Sequence, residues 1–436
     1  MQHRPAAQTM NDEPRHFSTQ LAVIGSGIAG FAASIFALKR KIATAQVGNT
    51  GSVAYTTGYL DLIGKLDGGS VVDNPWQALD RLRATEPRHP LSRVSAPDIE
   101  RAFGEFTAFL GECGLAYSAP GRHNITALTP VGTTKPTLCM PATMAAGPTA
   151  LAANTPCVIV DFSGLKGFSG NEIVANLRSL WPQLCTQRIS FPGMKSGELY
   201  PEVMARALEV PATRELLAAA LNEVCGPAEV IGLPAILGMH RPDHVRGELE
   251  RLTGRQIFEL PTMPPSVPGI RLRELFQQVL PQKGVILIPQ QKVGSLDFDT
   301  DGATLALSDN FGPIRIRAQA VILATGRFLS GGLDAHAAGI REHLLDLPVS
   351  QPAARSDWYR ARYTDPRGHP IHRAGIEVDD SWRPLNGEGR PYSERLFAAG
   401  VILAHQDWIR SRSGAGIAIA TAHGAVISAA RFLSGW

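Results

Sequence analysis

The sequence predicts an α/β protein: a Rossmann-type domain, discontinuous along the chain, with an inserted α/β domain. Three observations predict it. An apolar run at 21–24 feeds directly into Gly25-Ser26-Gly27-Ile28-Ala29-Gly30 and then into a stretch rich in Ala, Leu and Lys. A second apolar run, AVILATG at 320–326, ends in a small-residue turn far down the chain. Between the two, CVIVDF at 157–162 begins a fresh alternation of apolar runs and helical stretches, the pattern of a parallel sheet.

Taken in order, residues 1–18 are polar, with dispersed charge and no apolar centre. They lack the mark of a secretory signal and read as a disordered extension. Residues 21–24 make a strand buried on both faces, 31–41 a helix and 42–47 a second strand, completing a βαβ unit. A helix at 96–113 opens with Pro97 and Asp98 after Ser95, a favoured N-cap. Residues 129–156, rich in Thr, Pro and Ala, read as loops or irregular strands. The strand at 157–162 is followed by helices near 171–180 and 213–225 and a strand near 228–233. PTMPPSVPGIRL at 261–272 reads as a rigid crossing, because proline locks φ and extends the residue before it. A helix at 273–280 follows. VILIP at 285–289, then KVGSLDF, ATLALS and IRIR, are closely spaced strand signals around the Asp301-Gly302 turn. They predict an antiparallel meander that ends in AVILATG. LFAAG at 396–400 is the last strand and 414–433 the last helix. This assigns 19–89, 261–335 and 385–436 to the Rossmann domain, 90–260 to the inserted α/β domain and 336–384 to a second irregular insertion.

Bulk properties exclude several classes. The 436 residues are 44% hydrophobic and 19% charged, with a formal net charge of +3, an ordinary globular balance. No Lys/Arg block occurs, which argues against nucleic-acid binding. Cys113, Cys139, Cys157, Cys185 and Cys225 are widely spaced with no C-x-x-C pair, so neither zinc nor an iron–sulfur cluster is expected on this chain. Scattered free thiols suit a reducing, intracellular compartment. The apolar stretch before the C-terminus contains His423 and reads as a buried helix, not a membrane span.

The glycine string carries the most chemistry. Gly25 permits the sharp turn off the strand, Gly27 lets backbone approach a phosphate, and Gly30 allows close helix–strand packing. The helix start then offers unpaired N–H groups to the anion. Dinucleotide binders usually place an acid at the end of the second strand. Here the segment reads Gln46-Val47-Gly48-Asn49. Either Gln46 or Asn49 substitutes, as FAD would require, or the ligand has no adenosine ribose, as FMN would. Ala324, Thr325 and Gly326 end the second buried strand, and a split domain of this layout points to a flavin. Gly400, with Gly414, Ala415 and Gly416 at the start of the last helix, would aim a positive helix end at the flavin ring. Arg271, Arg327, Arg341 and Arg412 lie beside these loops, and guanidinium suits phosphate or carboxylate. His405 and Asp407 are candidate proton acceptors.

Several longer strings sharpen this. VIGSGIAG, AYTTGYLDLIG at 54–64 (with Thr57 and Gly58), PTMPPSVPGIRL, LATGRFLSGGL at 323–333 and GIREHLLDLPV at 339–349 together resemble the B subunit of anaerobic glycerol-3-phosphate dehydrogenase. The resemblance runs from about residue 20 to the C-terminus and is thin across the insert. It implies a Rossmann-type flavin-binding domain that holds FMN, with FAD as the alternative. It also implies two partners: a larger flavoprotein subunit bearing FAD, and a membrane-associated iron–sulfur subunit. The complex would lie at the inner face of the cytoplasmic membrane, oxidising sn-glycerol 3-phosphate to dihydroxyacetone phosphate and passing electrons to quinone. The alternatives are a non-catalytic flavoprotein for electron transfer or assembly, and a flavin oxidoreductase for another substrate. The segment AHQDWIRSRSGAG departs from the glycine-richer family pattern, bringing Trp408 and Arg410 to the flavin end.

Overall fold

A computed structural model describes residues 13–49, 51–66, 69–194 and 197–435. Its main sheet has seven strands. The order is Ser295–Phe298, Ala303–Asp309, Gly312–Leu323, Arg15–Ile24, Thr44–Gly48 and Ile286–Pro289, and Leu396–Ala398 also pairs with Gly312–Leu323. Five of these strands form a parallel block centred on Arg15–Ile24. Their carboxyl ends align, so the loops that follow them converge on one edge, where ligands of open α/β sheets bind. Cross-strand bonds tie that edge together: Gly25 N to Val47 O at 2.7 Å, Ala324 N to Ile24 O at 2.8 Å and Ala399 N to Leu323 O at 3.0 Å.

Several expectations are corrected here. Residues 1–12 of the expected disordered extension lie outside the described residues, and its end is ordered: Arg15 to Ser18 pair with Ile314 to Arg317. The segments IRIR and AVIL are one strand, Gly312–Leu323, not the end of a meander and a separate element. One of its edges is filled by Arg15–Ile24. The other is shared, antiparallel with Ala303–Asp309 along its first part and parallel with Leu396–Ala398 at its end. VILIP lies outside the meander altogether, because Ile286–Pro289 pairs parallel to Thr44–Gly48 on the opposite side of the sheet.

Three helices cover the block. Ile28–Lys39 is buried along most of its length, and its alanines let Gly414–Leu433 approach closely. Phe31 stacks on Phe276 at 4.6 Å between centroids, and Phe36 meets His423 edge-on at 5.2 Å. Gly414–Leu433 is long and apolar enough to cross a membrane by length and composition. Here it is packed between Ile28–Lys39 and Ala96–Glu112, within one core. Ala96–Glu112 is capped as expected, Ser95 Oγ accepting from Asp98 N at 3.2 Å. Its Phe103 and Phe106 are fully buried in that same core. The helix, although it falls within the 90–260 stretch assigned to the inserted domain, packs in the same core as the Rossmann strands.

The second unit is a four-stranded parallel sheet ordered Leu184–Ile189, Cys157–Phe162, Val230–Pro234, Gln256–Leu260. The stretch read as loops or irregular strands, 129–156, does contain a short strand, Thr134–Thr137, paired with Ile125–Leu128, and it also holds a helix that was not expected, Ala146–Ala153. The proline-rich crossing is shorter than expected. Helix Val267–Gln282 starts inside it, with Pro268 in the first turn, where a missing N–H costs nothing.

Candidate active site

The convergent loops enclose a cleft of about 570 Å³. Gly25, Ser26, Gly27, Ile28, Ala29, Thr57, Gly58, Ala324, Thr325, Gly326, Gly414 and Ala415 all line it. The three glycines divide the work as their spacing predicts. A Cβ on Gly25, whose φ is +138°, would lie 2.1 Å from Ala324 O, and one on Gly30 would lie 2.1 Å from Gly25 O. Gly27 has ordinary extended backbone, with nothing among the described residues within 4 Å of a Cβ placed there. The first and third hold the loop closed, and the second leaves room for a phosphate beside the helix N-terminus. Gly30 supports the cleft without lining it.

Two other small residues have supporting roles in place of the expected contact. Gly400, with φ of +84°, packs against Ala29 and donates its N–H to Thr421 Oγ1 at 2.8 Å. Gly416 packs on Leu62, and its N–H is spent on Asp61 O at 2.7 Å. Gln46 is fully buried, donating to Gly25 O at 2.9 Å and accepting from Ser34 Oγ at 2.8 Å. It braces the glycine loop from behind and is no stand-in for a ribose-binding acid. Asn49 does border the cleft.

The arginines separate by burial. Arg271, expected to serve substrate, is buried away from the cleft in a bidentate pair with Glu259. Burial alone would raise the Glu259 carboxyl, and Arg271 overrides it, leaving it below its ordinary value. Arg327 is also structural. Its guanidinium donates to Val401 O at 2.6 Å, Gln406 O at 3.1 Å, Leu403 O at 3.3 Å and to His372 O. Burial pushes its pKa down to about 10, so it stays charged at neutral pH. Arg341 is exposed and pairs with Asp346. Arg412 alone of the four reaches the cleft.

His405, a candidate base, is turned away. Its Nε2 meets Glu377 at 2.8 Å beside a small surface depression. Burial lowers its pKa, against the opposing pull of Glu377. Asp407 faces a second cavity of about 1190 Å³ that shares Ile409 and Arg412 with the first. There Asp407 Oδ2 lies 3.3 Å from His372 Nδ1. Among the described residues, seven lysine and arginine side chains line this cavity against two carboxylates, Glu86 and Asp407. Arg81, Arg360, Arg410 and Arg412 have no carboxylate partner among the described residues.

Sequence reading missed three residues of these walls: Asp61, Lys135 and His372. Asp61 sits inside the quoted string AYTTGYLDLIG, three residues beyond Gly58, and that neighbourhood was its only signal. Nothing local marks Lys135 or His372. Asp61 Oδ1 and Thr325 Oγ1 are buried in the cleft wall without a hydrogen-bond partner among the described residues. Together with the open position at Gly27, they fit a bound phosphorylated cofactor.

A parallel sheet with a glycine loop at its carboxyl edge, a second strand returning to that edge late in the chain and a helix start facing the same cleft define a flavin-dependent oxidoreductase. Residues 20–417 match the family model described as FAD binding domain. The chain is 30% identical over 420 residues to the B subunit of anaerobic glycerol-3-phosphate dehydrogenase from Vibrio cholerae, covering 93% of this chain and 95% of that one. It is 30% identical over 410 residues to the protein of that name from Yersinia pestis, covering 92% and 95%. It therefore belongs to the FAD-binding-domain family and, within it, to the B subunits of anaerobic glycerol-3-phosphate dehydrogenase. Among solved structures, a 3-ketosteroid delta1-dehydrogenase from Sterolibacterium denitrificans aligns with a TM-score of 0.42 at 12% identity, over 96% of this chain and 99% of that one.

Proposed function

We propose that this chain is the flavin subunit of a glycerol-3-phosphate dehydrogenase, oxidising sn-glycerol 3-phosphate to dihydroxyacetone phosphate, with its electrons passing through partner subunits to quinone. The observation that carries the substrate reading is the cation-rich cavity that meets the flavin cleft at Ile409 and Arg412. An anionic ester held there by guanidinium groups that have no carboxylate partner among the described residues would lie beside the cofactor. Bound flavin supplies a two-electron acceptor. Asp407 orients His372 through Nδ1, which leaves Nε2 to take the proton of the substrate hydroxyl.

For the cofactor we propose FAD in preference to FMN. The cleft runs past the glycine loop to Asn49, Ser52, Gln291 and Val293, beyond the ends of Thr44–Gly48 and Ile286–Pro289. That extension lies where a nucleotide half would sit, and the matched family model is an FAD binding domain. The relatives are named as one lettered component of an enzyme, which supports a multi-subunit assembly. Membrane attachment would then come from a partner, since the apolar C-terminal helix is spent on this chain's own core.

Two measurements test this reading. Cofactor released from the purified chain should contain adenine by mass and chromatography. Anaerobic addition of sn-glycerol 3-phosphate should bleach the flavin. Bleaching that requires an added partner would move the chemistry out of this chain and favour the relay reading.

A further inference from the structure

Asp61 and Lys135 stand together in the wall of the flavin cleft. Lys135 Nζ lies 2.6 Å from Asp61 Oδ2. The other oxygen, Oδ1, is buried and unpartnered among the described residues, and Asp61 is only 9% exposed. A buried acceptor left unpaired is expensive, so it calls for a donor. The ammonium has three donors and spends one on Asp61. The pair thus offers the cleft an acceptor and a donor side by side.

Both groups are held rigidly. Asp61 is fixed through its backbone, its carbonyl accepting from Gly416 N at 2.7 Å, while Leu60 N donates to Cys139 O at 2.9 Å. Lys135 comes from the short ribbon Ile125–Leu128/Thr134–Thr137 of the insert, its amine 5.5 Å from the Tyr59 ring centroid. The Tyr59 hydroxyl donates to Leu128 O at 2.7 Å, and burial, with Asp61 and Glu259 adding to it, raises its pKa so that it stays neutral.

We propose that Asp61 and Lys135 together recognise the pyrimidine edge of the flavin ring. That edge presents a ring N3–H between two carbonyl oxygens. Asp61 Oδ1 accepts from the N3–H, and Lys135 donates to a flanking carbonyl. This rests on the flavin reading of the cleft and adds that the insert, through Lys135, completes the cofactor site.

The test compares FAD with N3-methyl-FAD on the full chain stripped of cofactor, read by quenching of flavin fluorescence. The wild-type chain should bind the N3-methyl analogue at least tenfold more weakly than FAD. Asp61→Ala, which removes the acceptor and makes room for the methyl group, should bind the two alike. Lys135→Met should weaken FAD binding at least tenfold, and Lys135→Arg should recover most of it. Equal wild-type affinities for FAD and the analogue overturn the proposal, whether or not any variant folds. So does an Asp61→Ala chain that keeps the full preference. A wild-type chain that binds no FAD at all sinks the flavin reading and this proposal together, whereas binding without discrimination sinks the proposal alone.

Discussion

Glu259 accepts two 2.7 Å hydrogen bonds from the guanidinium of Arg271, one on each carboxylate oxygen, with both side chains essentially out of contact with water. Glu259 lies on the last strand of the inserted sheet and Arg271 on the helix that re-enters the Rossmann core. Glu259 also accepts from Thr143 Oγ1 and Leu237 N, both at 2.7 Å, and Arg271 Nε donates to Gly238 O at 2.8 Å. The pair welds the insert to the flavin domain. Breaking such a pair leaves a buried charge with no partner, a loss of about 3–5 kcal/mol. Arg271→Ala should therefore lower the urea midpoint markedly. Arg271→Met combined with Glu259→Gln should recover part of that loss. An unchanged midpoint in Arg271→Ala would show that the pair is not a clamp.

The glycine loop allows folding to be separated from binding. Gly27→Ala places a methyl group in open space on unstrained backbone, where a phosphate would come. The expected outcome is a melting temperature close to wild type and flavin affinity reduced at least tenfold, about 1.4 kcal/mol. Gly30→Ala drives its methyl into Gly25 O and should lose both stability and flavin. Calorimetry and flavin fluorescence on the two variants check this. Retention of full affinity in Gly27→Ala would place the phosphate elsewhere.

His89 makes the fold acid-sensitive. Its Nδ1 accepts from Leu91 N at 3.1 Å, and burial, with Arg373 and His405 adding to it, pushes its pKa down to about 3. The unfolded chain takes up a proton near pH 6.5 and the folded chain does not. Stability is therefore unaffected above about pH 6.5 and falls from there toward pH 3, by about 1.4 kcal/mol per pH unit. His89→Asn keeps an acceptor for Leu91 N without the titration. Between pH 7.5 and pH 5, urea unfolding should show wild type losing roughly 2 kcal/mol more than this variant. Equal losses would remove His89 as the cause.

The second cavity separates binding from proton transfer. Arg360→Ala should raise KM for sn-glycerol 3-phosphate with little change in kcat, because Arg360 lines the cavity and bonds to Gly368 O, not to the dyad. His372→Asn should instead slow anaerobic flavin reduction by roughly 10²-fold to 10⁴-fold. Asp407→Asn should act through His372 and shift the pH profile of that step. Stopped-flow reduction resolves the two effects. A His372→Asn variant that reduces at the wild-type rate would remove the dyad from the mechanism.

The elements that were legible in the sequence are those whose cause is local. Gly25 needs a positive φ, Gly30 has no room for a Cβ, and Ser95 caps the helix that follows it. These demands are written in consecutive residues, and so were the apolar strands on either side of them. What misled were features whose meaning depends on distant neighbours. Pro268 signals a break but sits in a helical first turn. The strand at 286–289 resembles its neighbours in sequence but pairs on the far side of the sheet. Arg271 and Arg327 have the residue type of substrate ligands but are consumed by Glu259 and by backbone carbonyls.

The sequence by itself determined the glycine loop, the strand and helix that flank it and the family to which the chain belongs, because backbone strain and apolar patterning act over a few residues. Only the tertiary structure decided which charged groups face the cofactor. Lys135 and Asp61 are 74 positions apart and His372 and Asp407 are 35. Each pair is brought together by separate segments whose meeting no local pattern announces. A side chain's chemistry is fixed by its type, but its role depends on burial and on the partner it meets, and both are properties of packing.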